Sequence, residues 1–251
     1  MSCVNGTNGN GDIWVNEAVN WGGTGSTNRL TLNSYRNIYV QAAIDATANA
    51  ANGKVSLLYG QGATDGKNDN GNEASYSFGL TAAGFSGSIK LNAGNNFSTQ
   101  LGSAGSLIDY KVITSVGSAG STTGSDLQGI NGGLSGNYAL GNSIDASATS
   151  TWNSGAGFTP IGLAPAFSGR FDGLGHTIQD LWLRTPAAAR ITSGLFASNT
   201  GQIMNLSLAN INISDNTTLY IGALAGANGG IIKNVLAYSG SVSSTLSSSN
   251  A

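Results

Sequence analysis

Arg170, Asp172, His176 and Asp180 fall within eleven consecutive positions. Acids, a base and a guanidinium held on one outer face are what a polysaccharide lyase or hydrolase needs. They remove a proton and stabilise the charge that develops. A glycosidase would need two carboxylates about 5 to 10 Å apart. The same four residues also fit structural duties. Phe171-Asp172-Gly173 reads as a turn, where Asp is favoured for the hydrogen bonds it makes to nearby backbone. Asp180 belongs to a repeated position described below, and His176 precedes a strand. A structural role is therefore expected for the cluster, and no catalytic residue is assigned.

Metal chemistry has less to work with. One His and one Cys cannot complete a zinc site without carboxylates, and His-Glu-x-x-His is absent. The calcium-binding Gly-Gly-x-Gly-x-Asp repeat is missing as well. Asp65, Asp69 and Glu73 share one polar loop, but their spacing is not that of an EF-hand, so a solvated loop is expected there. Without Gly-Lys-Ser/Thr, the glycines read as turn-formers and not as a phosphate cradle. Trp14, Trp21, Trp152 and Trp182 are the large aromatics suited to stacking on sugars. Alternation points Trp182 away from Leu181 and Leu183, and a single exposed aromatic is ordinary. No metal, cofactor or binding residue is assigned.

The elements that would carry these residues repeat. Ile178-Gln179-Asp180-Leu181-Trp182-Leu183 returns as Ile203-Met204-Asn205-Leu206-Ser207-Leu208, and again as Ile232-Lys233-Asn234-Val235-Leu236-Ala237. Gly194-Leu195-Phe196-Ala197 returns as Gly222-Ala223-Leu224-Ala225, and Asn199-Thr200-Gly201 as Asn228-Gly229-Gly230. Matched residues lie 25 to 29 positions apart, within the range of solenoids. Inside each copy the apolar residues alternate, as in strands. The same alternation marks Ile13-Trp14-Val15, Leu30-Thr31-Leu32, Ile38-Tyr39-Val40 and Val55–Tyr59, each bounded by Asn or Gly. The Ala-rich run 42–51 is broken by Thr47 and Asn49 and reads as strand edge or loop, and no segment reads as a convincing helix.

The chain is therefore expected to be all-β, a right-handed parallel β-helix (β-solenoid), elongated. At about 25 residues per coil, about ten coils would stack into a rod on the order of 50 Å long. Ile178, Ile203 and Ile232 would stack inside, as would Leu181, Leu206 and Val235. Asp180, Asn205 and Asn234 would form a side-chain ladder. Three regions make one continuous domain. Residues 1–60 hold coils at irregular spacing. Residues 61–136 are looser and carry a polar loop at 62–72, and 137–251 hold the clear repeats.

Composition narrows the function. Charged residues are 9% of the 251 and net charge is -2, with no basic run, so no nucleic acid partner is expected. No stretch approaches the roughly 20 apolar residues of a membrane span, so no membrane insertion is expected. The 38 glycines show no Gly-X-Y period, which excludes collagen. A single cysteine, Cys3, leaves no intramolecular disulfide. The polar start, Met1 to Gly6, lacks an apolar signal region, and the Ser-rich end, 243–250, lacks a capping element. The chain is expected to be a piece of a longer protein.

Asn137-Tyr138-Ala139-Leu140, Ile144–Thr149 and Gly157–Gly162 resemble segments of large filamentous-haemagglutinin-like adhesins of Gram-negative bacteria. Phe167–Ile178 is similar to the lead-in before their glycine-rich GLUG repeats. Gly222-Ala223-Leu224-Ala225-Gly226 is closest to that motif, and Gly194–Ser198 is a copy ending in Ser. Gly11–Asn16 and Arg36–Val40 share the pattern. The resemblance implies a non-enzymatic adhesin segment, secreted or on the bacterial surface, in which a rod presents loops such as 62–73 to a host glycan, protein or matrix. It also implies export by two-partner secretion through an outer-membrane pore, although this chain shows neither a signal peptide nor a secretion domain. Two other readings stand beside it: a carbohydrate-active β-helix enzyme, and an accessory repeat module of a surface protease.

Overall fold

The computed structural model describes residues 2–3, 11–21, 24–68, 71–184, 192–215 and 220–244. Regular structure is almost all β, wound as a parallel β-solenoid. The chain divides into two compact units. The first comprises 1–113, 137–142 and 174–176, and the second 114–136, 143–173 and 177–251.

In the first unit three parallel ladders form. Ile13–Val15 pairs with Ile38–Val40, which pairs with Tyr76–Phe78. Val19–Asn20 pairs with Ala43–Asp45, and that with Ser88–Lys90. Arg29–Asn33 pairs with Lys54–Tyr59, and that with Gly94–Leu101. The spacing is not irregular, as the sequence suggested. Ile13 to Ile38, Val19 to Ile44 and Leu30 to Val55 are each a step of 25 residues.

The next step lengthens to 38, 45 and 42 residues on the same three ladders. The added residues leave the coil as an excursion, turn-rich over 60–68 and 71–74, and a small antiparallel hairpin, Leu80–Thr81 with Gly84–Phe85. Such insertions are why fewer than the expected ten coils fit. Alternation buries Ile13, Val15, Ile38 and Val40 and turns Trp14 and Tyr39 outward, where their rings stack 4.0 Å apart.

Two features were not anticipated. Gly94–Leu101 doubles back antiparallel to Ile108–Ile113 before parallel pairing resumes with Asn137–Leu140. Short 3-10 turns also occur at Ala48–Ala50, Gln128–Gly132 and Ser147–Gly155. The Ala-rich run thus contains a strand, Ala43–Asp45, and one turn. Asp45 Oδ1 accepts from Thr47 N–H and Oγ, which turns the backbone before a helix can propagate.

In the second unit Gln202–Asp215 and Ile231–Ser244 pair along their whole length. Each is three straight segments joined by two left-handed corners. The corners are Asn205 and Asn210 in one strand, Asn234 and Ser239 in the other, with φ of 53°, 51°, 55° and 60°. Asn tolerates this region better than most residues because its short polar side chain bonds locally. Arg170–Asp172, Thr177–Gln179 and Trp182–Arg184 pair with the three segments of Gln202–Asp215 in turn.

This register corrects the expected one. Ile203 does pair with Ile232, but its other partner is Phe171, while Ile178 pairs with Leu208. The true step from Ile178 is 30 residues and not 25. The cause is that apolar-x-Asx-apolar occurs at both corners of a coil, five residues apart. Matching by pattern alone set one corner against the next. Asn199 and Asn228 do pair as their repeat predicts.

Ile203 is fully buried between Phe171 and Ile232. Ile203→Ala is expected to cost about 2–5 kcal/mol in urea denaturation, and Ile203→Asp more, because an unpaired charge enters the stack. A melting temperature unchanged by Ile203→Asp would refute this placement.

Candidate functional site

The four residues with the strongest catalytic pattern each have their own structural partners. His176 belongs to the first unit, and Arg170, Asp172 and Asp180 to the second. Asp172 has no exposure and accepts from Asn205 Nδ2 at 3.0 Å. Asn205 Oδ1 in turn accepts from Asn234 Nδ2 at 2.9 Å. The expected ladder exists, but its first rung is Asp172 and not Asp180. Asp180 instead takes the second corner, at φ 58°, where its N–H donates to Ala209 O. Arg170 donates from Nη1 to Gln202 Oε1 along the outside of the strand.

His176 is buried and donates from Nε2 to the Ile89 carbonyl at 2.9 Å. Loss of solvation, with a smaller contribution from the Lys90 charge, pushes its imidazole down to about 4. It is a neutral packing group at ordinary pH.

Around the polar loop, Asp65 Oδ1 accepts from Ser103 N–H, Ser103 Oγ and Ala104 N–H. These bonds hold its carboxyl below the usual range and staple the excursion to a neighbouring turn. Asp69 lies outside the described residues. Among the described residues no group of three or more His, Cys, Asp or Glu is placed to hold a metal.

The tryptophans have the following neighbours. Trp14 stacks on Tyr39 and Trp152 lies near Phe158. Trp21 Nε1 borders Gly53. Trp182 is half-buried, opposite its buried neighbours Leu181 and Leu183.

One site that residue spacing missed is a cavity of about 330 Å³ between the Tyr35-Arg36 corner and residues 62–68 and 71. Its lining includes Tyr35, Arg36, Thr64, Lys67 and Asn68. Three backbone bonds tie the excursion to the corner: Gly60 N–H to Arg36 O, Gln61 N–H to Ser34 O and Gly62 N–H to Tyr35 O. Gly62 is required here, since a Cβ would come within 2.9 Å of both the Tyr35 ring and its carbonyl. Tyr35 stays 64% exposed. The only sequence signal was the polar loop itself. Nothing linked it to residues about thirty positions earlier.

Across 142 residues the chain is 35% identical to Halomucin of Haloquadratum walsbyi. That match covers 52% of this chain and 1% of that protein's length. No family model and no solved structure matches the chain.

Two outcomes follow from the buried polar groups. Asp172→Ala leaves the Asn205 amide without its acceptor and is expected to lower stability by about 1–3 kcal/mol. Asp172→Asn can keep an acceptor oxygen and should cost less by the same denaturation. The depressed His176 means that the unfolded chain takes up a proton near pH 6.5 while the folded chain does not. Stability is fully present above that pH and falls as pH drops toward 4. The loss between pH 7 and 5 should be about 2 kcal/mol, and urea midpoints of His176→Gln should lack that slope.

Proposed function

We propose that this chain is a non-enzymatic repeat module of a secreted or surface-exposed bacterial adhesin. Its coils form a stalk, and excursions between coils present the contact surfaces. The observation that carries this reading is how the polar groups are used. The residues with the best catalytic spacing are consumed by ladder, corner and packing duties. The cavity at Tyr35, by contrast, is built on an excursion that leaves the ladders undisturbed.

Similarity to a stretch amounting to 1% of Halomucin is consistent with a module embedded in a much longer chain. The resemblance of Phe167–Ile178 and Gly222–Gly226 to GLUG-type segments favours the filamentous-haemagglutinin class. Export through an outer-membrane pore and attachment to a host glycan, protein or matrix go with that class.

The test has two arms. Immobilised chain should retain polysaccharide-coated beads or epithelial cells, and replacing 62–73 by a short Gly-Ser linker should abolish retention while the melting temperature stays near the parent. Incubation with uronate-containing and neutral polysaccharides should release neither reducing ends nor unsaturated product. Release that disappears in Asp172→Asn would transfer the protein to the enzymes.

A further inference from the structure

We propose that the open edge of Ile231–Ser244 receives one further coil of the same polypeptide, recognised by two asparagines six positions apart. Within the second unit, inward columns run from coil to coil. Phe171, Ile203 and Ile232 form one, and Leu183, Ile213 and Val242 another. Ile203 and Ile213 have no exposure, whereas Ile232 and Val242 stand 41% and 43% exposed. The side chains are alike, and only the covering coil differs. Among the described residues, Ile231–Ser244 pairs with Gln202–Asp215 on one side and with no strand on the other.

The polar rungs define the occupant. Asn234 donates from Nδ2 back to Asn205 Oδ1, as Asn205 donates back to Asp172. Each rung of this ladder thus offers its carbonyl oxygen to the coil that follows. Asn234 Oδ1 accepts from no group among the described residues. The second ladder runs the other way. Asn199 donates forward from Nδ2 to Asn228 Oδ1 at 2.6 Å, and Asn228 directs one amide hydrogen to Gly230 O. A side-chain amide has two hydrogens to donate, so Asn228 retains one.

The edge therefore offers a donor at Asn228 and an acceptor at Asn234. Both ladders advance by 29 residues per coil. A side-chain amide can answer either group, whereas an ionised carboxylate only accepts. The same polarity admits Asp172 as a rung, because it accepts from Asn205. The occupant is a parallel strand with Asn-x5-Asn, arriving after one more 29-residue step, as in a chain that keeps winding. A second copy of the chain fits this edge less well. Two identical ends meet with their strands antiparallel, whereas Arg170–Asp172, Gln202–Asp215 and Ile231–Ser244 stack in parallel.

A coil copying residues 187–215, inserted directly after Ser244 of the full chain, tests this. It sets copies of Asn199 and Asn205 one step beyond Asn228 and Asn234. Hydrogen exchange, read by mass spectrometry on fragments from 231–244, should slow at least about tenfold relative to the parent. Fragments from 94–113 should be unchanged. Asn205→Asp within the added coil should remove most of the new protection, because two acceptors meet. Asn199→Asp within the added coil should keep it, because a carboxylate can accept from Asn228. Equal effects of the two substitutions overturn the assignment of the rungs. Unchanged exchange in 231–244 with the unsubstituted coil overturns the docking surface. So does a parent chain that dimerises in sedimentation equilibrium and returns to monomer with Ile232→Lys, which would give the face to a second copy.

Discussion

The second unit is organised around one interaction: the buried carboxylate and amides of Asp172, Asn205 and Asn234 each find a partner in the adjacent coil. Buried polar groups left unpaired cost more than their hydrogen bonds return. Asn205 meets the constraint on both sides, donating to Asp172 and accepting from Asn234. The same residue also turns the corner, because it tolerates positive φ. Conformational tolerance and ladder bonding thus select one residue type at one position. A slip of one residue would break the ladder and expose the apolar columns together, so the register has two independent reasons to hold. Asn199 and Asn228 repeat the arrangement at another edge, with a side-chain bond of 2.6 Å. In the first unit a hydroxyl pair, Ser56 and Ser98, joined by Arg29, does similar work.

How much of this could be read from residue order varies with range. Two-residue alternation reveals strands because it reports only which face is buried, and Ile13-Trp14-Val15 and Ile38-Tyr39-Val40 behave as written. Stacking was legible wherever a coil had one distinctive corner, as at Asn199 and Asn228. It was misread where two corners share a pattern, which moved the ladder's first rung from Asp172 to Asp180. Four residues, 173–176, join the first two segments of the earlier coil where two, 205–206, suffice in the next, and that extra pair carries no pattern of its own. The antiparallel return of Ile108–Ile113 was hidden for a related reason. Alternation is the same whichever way a strand runs. The 25-residue step of the first coil was present in residue order and was obscured by the insertion that follows it.

The placement of the candidate residues was the least legible part of residue order. Proximity in sequence drew Arg170, Asp172, His176 and Asp180 together, but in a coil neighbouring residues diverge around corners while residues about thirty apart become neighbours. Tyr35 and Lys67 illustrate the second case. Their closeness follows from three backbone bonds between an excursion and the preceding coil's corner, which no spacing rule would locate.

The unequal lengths of successive coils have an evolutionary consequence. The same three ladders accept a step of 25 residues and then steps of 38 to 45, so the ladders do not count how many residues lie between their rungs. A lineage can lengthen, replace or delete a loop between rungs while the inherited core stays in register. Variation under selection by a changing environment is then confined to the rim, and the mutational risk of acquiring a new specificity is separated from the risk of losing the fold.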